Sequence, residues 1–169
     1  LFWRDLGDRV ARLGIAALWC SALTSLATLA VVLSGDTIQL ALIGAQSGAM
    51  TYTVMVDRLA AVMMALISLV SLIIHVYSER YMVGDAGYVR FFALLGGLTF
   101  VLLSLVSSGN LFWLFVCWHL VTWLLARLLV CNPDSRAARD AGQKTFWVQS
   151  LGDAAFAVAL LVLYGSYGT

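Results

Sequence analysis

The sequence predicts an all-α protein, a polytopic bundle of five membrane-spanning helices, and three observations predict it. Of 169 residues, 62% are hydrophobic and 11% charged, against about 45–50% and about 25% in a soluble domain. Mean hydropathy is +0.94. A chain of this size hides only about 70% of its unfolded surface, so the surplus apolar side chains need lipid as a second solvent. The charges also fall in groups, leaving uncharged runs at 13–35, 59–78, 91–126 and 154–169. One proline, fourteen glycines and three cysteines exclude a disordered, collagen-like or disulfide-stapled chain. A net charge of +1 leaves no basic footprint for nucleic acid.

Each element follows in order. Residues 1–12 carry Arg4, Asp5, Asp8, Arg9 and Arg12 and read as a polar segment before the first span, 13–34. About 20 apolar residues of helix cross a hydrocarbon core of about 30 Å, so 13–34 and 59–78 each cross once. Between them, 35–58 alternates in polarity and is rich in Thr and β-branched residues, which predicts a short extracytoplasmic hairpin at the membrane surface. A loop at 79–90 follows. The run after it is too long for one crossing, and Ser107-Ser108-Gly109-Asn110 supplies a turn at 107–110. The run therefore divides into spans at 91–106 and 111–131. A loop at 132–144 leads to a fifth span, 145–164, apolar apart from Gln149 and Asp153.

Five crossings put the N-terminal segment and the loops 79–90 and 132–144 on one side. These hold Arg4, Arg9, Arg12, Arg80, Arg90, Arg136, Arg139 and Lys144, whereas the other side holds only Arg58. Eight cations against one place residues 1–12 in the cytoplasm of a multi-pass membrane protein. The chain opens without Met and stops just past a span, so it reads as a fragment of a longer protein.

Ionisable groups at membrane depth cost about 2.5–3.5 kcal/mol each on the insertion scale and are functional candidates by default. His119, Arg127 and Asp153 meet that description, and Lys144 opens the fifth span. His119 and Arg127, eight residues apart, differ by about 80° around a helix and about 12 Å along it. They can line one path without touching. Gln149 and Asp153, four apart, share a face; Lys144 lies about 180° from Asp153 and cannot pair with it on one ideal helix. Bland readings stand beside these. Arg127 reads equally as a snorkelling cation near a helix end. His119, of the one residue type whose unperturbed charge change falls near neutral pH, reads equally as a relay or as a hydrogen-bonding helix contact. His75 reads first as an interfacial histidine and second as a relay member. Asp153 is too deep to snorkel. Cys20, Cys117 and Cys131 lack CxxC spacing and no cluster of ligands occurs, so neither metal nor cofactor is expected in this chain.

Several segments together resemble one family. Val56-Asp57-Arg58-Leu59, Ile74-His75-Val76-Tyr77-Ser78-Glu79-Arg80-Tyr81-Met82 and Gly87-Tyr88-Val89-Arg90-Phe91-Phe92 are similar to the third and fourth helices of antiporter-like proton-translocating subunits. That family includes the L subunit of complex I and the Mrp antiporter A subunit. Ser108-Gly109-Asn110-Leu111-Phe112 resembles the turn before its fifth helix, and Gln143-Lys144-Thr145-Phe146 with Leu151-Gly152-Asp153 resembles the opening of its sixth. The resemblance runs from about Val56 onward, while 1–55 fit by hydropathy alone.

One departure is informative. Complex I-type members carry Trp-Glu on the fifth helix, whereas Trp118-His119 stands here, and Asn132-Pro133-Asp134-Ser135-Arg136-Ala137-Ala138-Arg139 resembles the following loop of DabB-type subunits of inorganic-carbon accumulation complexes. In the family a lysine at Lys144, or on the next helix, changes protonation as an acid approaches or withdraws. With the glutamate absent, Asp153 is the acid left at membrane depth to hold Lys144 charged.

The resemblance implies a proton- or sodium-conducting subunit that lies in lipid and powers a partner, a large DabA-like protein carrying zinc. Two other functions stay open: a proton-translocating L-type subunit of NADH:quinone oxidoreductase or Mrp-type antiporter, and a structural membrane subunit whose ion path is inactive. The chain reads as a transporter subunit rather than a catalytic one.

Overall fold

The computed structural model describes residues 2–35, 37–43, 52–82, 84–85, 87–130 and 135–167. Its order is α1 (Phe2–Leu33), β1 (Ile38–Ile43), β2 (Tyr52–Val56), α2 (Arg58–Tyr81), α3 (Tyr88–Val106), α4 (Leu111–Leu129) and α5 (Arg136–Tyr167). Among the described residues five helices are long and apolar enough to cross a membrane, and the chain is a multi-pass membrane protein.

Helix boundaries follow local chemistry. Asp57 caps α2 by accepting from the Ala60 amide at 2.7 Å, an interaction that contributes about 0.5–2 kcal/mol. Asn110 caps α4 by accepting from the Phe112 amide at 2.9 Å. Ser135 accepts from the Ala138 amide at 3.3 Å, and the Ala-rich run behind it carries helix from Arg136. Much of the segment expected as loop 132–144 is therefore the first turns of α5; residues 131–134 lie outside the described residues. Likewise α1 begins at Phe2 rather than at 13, so residues 2–12 of the expected polar segment are helical. Helices α2 and α3 extend beyond 59–78 and 91–106 to Arg58–Tyr81 and Tyr88–Val106, while α4 stops at Leu129 rather than 131.

Packing within the bundle uses small side chains, as expected where lipid removes the hydrophobic drive between helices. The buried face of α2 is Ala60, Ala61, Ala65, Ser68, Ser71, Leu72, His75 and Ser78. Opposite it, Leu18, Ala22 and Val32 of α1 recur at helical spacing and complete two apolar clusters, one with Leu72 and one with Val56, Ala60 and Ala61. Large apolar side chains such as Leu13, Leu59, Phe100 and Leu151 point outward, toward lipid or neighbouring helices.

The hairpin expected within 35–58 forms as an antiparallel pair from Ile38↔Val56 to Ile43↔Tyr52; its connection, 44–51, is outside the described residues. The α3–α4 turn lies against it. The Met55 amide donates to the Ser107 carbonyl and the Gly109 amide to the Thr53 carbonyl, both at 2.8 Å, with Val54 bridging Ser108. The end of α5 reaches the same place, where the Tyr164 hydroxyl donates to Asn110 Oδ1 at 3.5 Å. The hairpin, the 107–110 turn and the end of α5 thus share one end of the bundle.

Candidate functional site

Two helices create the site. Gly142 of α5 meets α4 so closely that a Cβ there would lie 3.1 Å from the Ala126 carbonyl oxygen and collide with the Val130 side chain. This contact sets the rotation of the two helices, and two to three turns farther along it brings His119 and Asp153 face to face. His119 Nδ1 lies 2.8 Å from Asp153 Oδ2. The Thr122 hydroxyl, one turn from His119, donates to Asp153 Oδ1 at 3.5 Å, a long contact. Asp153 is 4% exposed, while the His119 side chain is 50% exposed, so the carboxylate is enclosed and the imidazole opens outward. Both residues stand near the middle of their spans. Among the described residues this is the one ion-pair geometry within 4 Å.

Since a carboxylate only accepts, Nδ1 carries a proton and donates it to Oδ2. Nε2 takes no part in that contact. Toward the hairpin end the pair is roofed by aromatic rings. Phe115 stacks on His119 at 6.5 Å, and Phe156 meets Phe115 and Trp118 edge-on at 5.5 and 6.3 Å. Toward the other end the α5 face is polar: Gln149 Oε1 and Ser150 Oγ are buried without a hydrogen-bond partner among the described residues. Buried acceptors of this kind are where ordered water is found.

The other expected residues lie elsewhere. Lys144 sits in a groove with Asp140, Gln143, Trp147 and Val148, nine residues or about 13 Å along α5 from Asp153. The expectation that Asp153 holds Lys144 charged is therefore corrected: Asp153 faces His119 on α4, and the acid beside Lys144 is Asp140, one turn back on the same helix. Arg127 packs its guanidinium over Trp123, 5.1 Å from the ring centroid. His75 is not at a watery interface but 1% exposed. Its Nδ1 lies 2.9 Å from the Ser71 carbonyl, to which it donates, and the Ser71 hydroxyl meets Thr99 Oγ1 at 2.5 Å. That cluster belongs to α2 and α3, so the two histidines occupy separate polar centres.

Sequence reasoning missed Thr122 and the aromatic roof. The former was signalled by its spacing of three from His119, the latter by Phe115 and Phe156 at one turn from each partner. Among the described residues no group of three or more His, Cys, Asp or Glu could hold a metal.

Residues 43–92 match the family described as NADH-Ubiquinone oxidoreductase (complex I), chain 5 N-terminus, a match that begins upstream of Val56. Over 99% of its length the chain is 35% identical to the probable inorganic carbon transporter subunit DabB1 of Halothiobacillus neapolitanus, covering 30% of that protein. It is 41% identical over 64% of its length to the F(420)H(2) dehydrogenase subunit L of Methanosarcina mazei, of which it covers 16%. Over 71% of its length it is 38% identical to NAD(P)H-quinone oxidoreductase chain 5 of Picosynechococcus sp., of which it covers 18%. The chain spans less than a third of the length of these relatives.

Proposed function

We propose, since the chain belongs to the antiporter-like family of membrane subunits that includes complex I chain 5 and DabB, that it forms part of a proton-conducting subunit, and that the work coupled to the proton is uptake of inorganic carbon. The observation that carries the ion path is the His119–Asp153 contact of 2.8 Å around a carboxylate enclosed at mid-span. An acid so deep is costly unless a partner compensates it, and imidazole is the one side chain that both compensates it and exchanges a proton near neutral pH. Gln149 and Ser150 provide polar access from the cation-rich end, which the cation bias makes cytoplasmic. The aromatic layer closes the opposite side, so onward transfer leaves by the exposed face of the imidazole.

The carbon-uptake reading is supported by the alignment with DabB1, which extends over 99% of the chain, and by the Trp118-His119 dipeptide. The partner is then a large DabA-like subunit holding zinc, and the location is the cell inner membrane. A second reading, an L-type subunit of a quinone-reducing complex, is favoured by 38–41% identity to such subunits over 64–71% of the chain.

Asp153→Asn tests the ion path. The amide is nearly isosteric and cheaper to bury, so the protein accumulates while ion-driven transport falls at least tenfold. The measurement is labelled bicarbonate uptake, with and without an uncoupler, at matched protein levels. Wild-type uptake from the variant, or uptake indifferent to the uncoupler, removes the path. Loss of quinone reduction without any effect on carbon uptake selects the second reading.

A further inference from the structure

We infer that the groove between the ends of α4 and α5 is a binding site for the headgroup of an anionic phospholipid. The groove holds about 450 Å3 and is lined by Arg127, Arg139, Gln143, Trp123, Phe146 and Trp147 among others, with no Asp or Glu among its described lining. Its depth in the membrane follows from helix length. Helix α5 has 32 residues, about 48 Å at 1.5 Å per residue, whereas the hydrocarbon needs about 30 Å. If 145–164 fills the hydrocarbon, Arg136 to Gln143 stand at headgroup level. Gly142, packed on Ala126 and Val130, brings Arg127 to that same level.

Two guanidinium groups therefore meet where lipid phosphates lie, with indole and phenyl rings directed along the first part of the acyl chains. Arginine suits this use because its planar fork binds phosphate oxygens in pairs. Arg127 is held for it by Trp123, whose ring it covers at 5.1 Å. Trp123 and Trp147 are both exposed and occupy the level at which aromatic side chains favour the interface. The adjoining groove, with Lys144 and Asp140, carries one charge of each sign and offers no comparable excess. Basic recesses between spans on the cytoplasmic side are suited to anionic headgroups. This site is separate from the His119–Asp153 centre and does not depend on which ion, if any, moves there.

The test uses the whole subunit in phosphatidylcholine vesicles carrying a small fraction of brominated phosphatidylglycerol or brominated phosphatidylcholine. Quenching of Trp147 is read as the signal lost in Trp147→Phe. The expected result is half-maximal quenching by the anionic lipid at about fivefold lower mole fraction or less. The preference disappears in Arg127→Gln with Arg139→Gln, and it survives in Arg136→Gln, a neighbouring cation outside the groove. Equal quenching by the two lipids overturns the site, and this arm needs only Trp147→Phe, a change at an exposed position, to fold. A loss as large in Arg136→Gln means diffuse attraction to a basic surface and also overturns it. Relief of quenching by millimolar inorganic phosphate assigns the groove to a soluble anion and overturns the lipid assignment.

Discussion

At the scale of single residues, His119 does two jobs that one substitution can separate. It partners an enclosed carboxylate, and in the proposed path it passes on a proton. Glutamine keeps a donor for Asp153 Oδ2 but cannot titrate. His119→Gln is therefore expected to lower the transport rate severalfold; the rate at matched protein levels decides. His119→Ala removes both jobs and leaves Asp153 with the long Thr122 contact. An aspartate at mid-span then costs about 2.5–3.5 kcal/mol to insert, so the variant accumulates poorly. Adding Asp153→Asn restores accumulation but not transport, as membrane protein levels and uptake measured on the four members of the cycle will show.

Sequence alone singles out His119 and Asp153, because each breaks an apolar run. It does not pair them. Helix rotation about its own axis is set by a steric contact, here Gly142 on Ala126 and Val130, and hydropathy carries no record of it. Lys144 illustrates the converse: resemblance brings it forward, and α5 itself carries it about 13 Å from the acid it was expected to meet.

At the scale of elements, the hairpin and the α3–α4 turn form one structure. The sequence announces both, through alternation in 35–58 and through Ser107-Ser108-Gly109-Asn110, but not the edge-to-edge hydrogen bonds between them, because backbone pairing of distant segments leaves no periodic signal. Gly109 is the position where this docking constrains a residue. A Cβ there would stand 2.8 Å from Thr53 Oγ1 and 3.1 Å from Met55 Cβ. Gly109→Val is expected to destabilise the protein by about 1–3 kcal/mol through overpacking, and to lower the thermal unfolding midpoint in detergent. Ser108→Ala, which removes only a local bond from the hydroxyl to the Asn110 carbonyl, shifts the midpoint far less. The hidden start of α5 has a different origin. The run from Arg136 to Lys144 is too charged to read as membrane span, yet it is Ala-rich, capped by Ser135 and comfortable as helix in water.

At the scale of the whole molecule, the contacts at one end turn five spans into a definite topology. The hairpin is bonded to the 107–110 turn by two backbone bonds of 2.8 Å, and Tyr164 reaches Asn110; helices of crossing length must then alternate, leaving the end of α2, the start of α3, the end of α4 and the start of α5 at the far end. These contacts say which segments share a side, and the cation count says which side it is. All eight cations on that side lie within about 15 residues of a span end, close enough to weigh in orientation, and among the described residues the hairpin end offers Arg58 alone against them. The expected outcome is that a single cysteine at Thr37 reacts with an impermeant maleimide in intact cells, whereas one at Ser135 reacts only after permeabilisation, with the native cysteines Cys20, Cys117 and Cys131 replaced. Labelling of position 135 from outside would invert the bundle. It would also invert the proposed path, since the polar approach through Gln149 and Ser150 would then open outward and the aromatic roof of Phe115, Phe156 and Trp118 would face the cytoplasm.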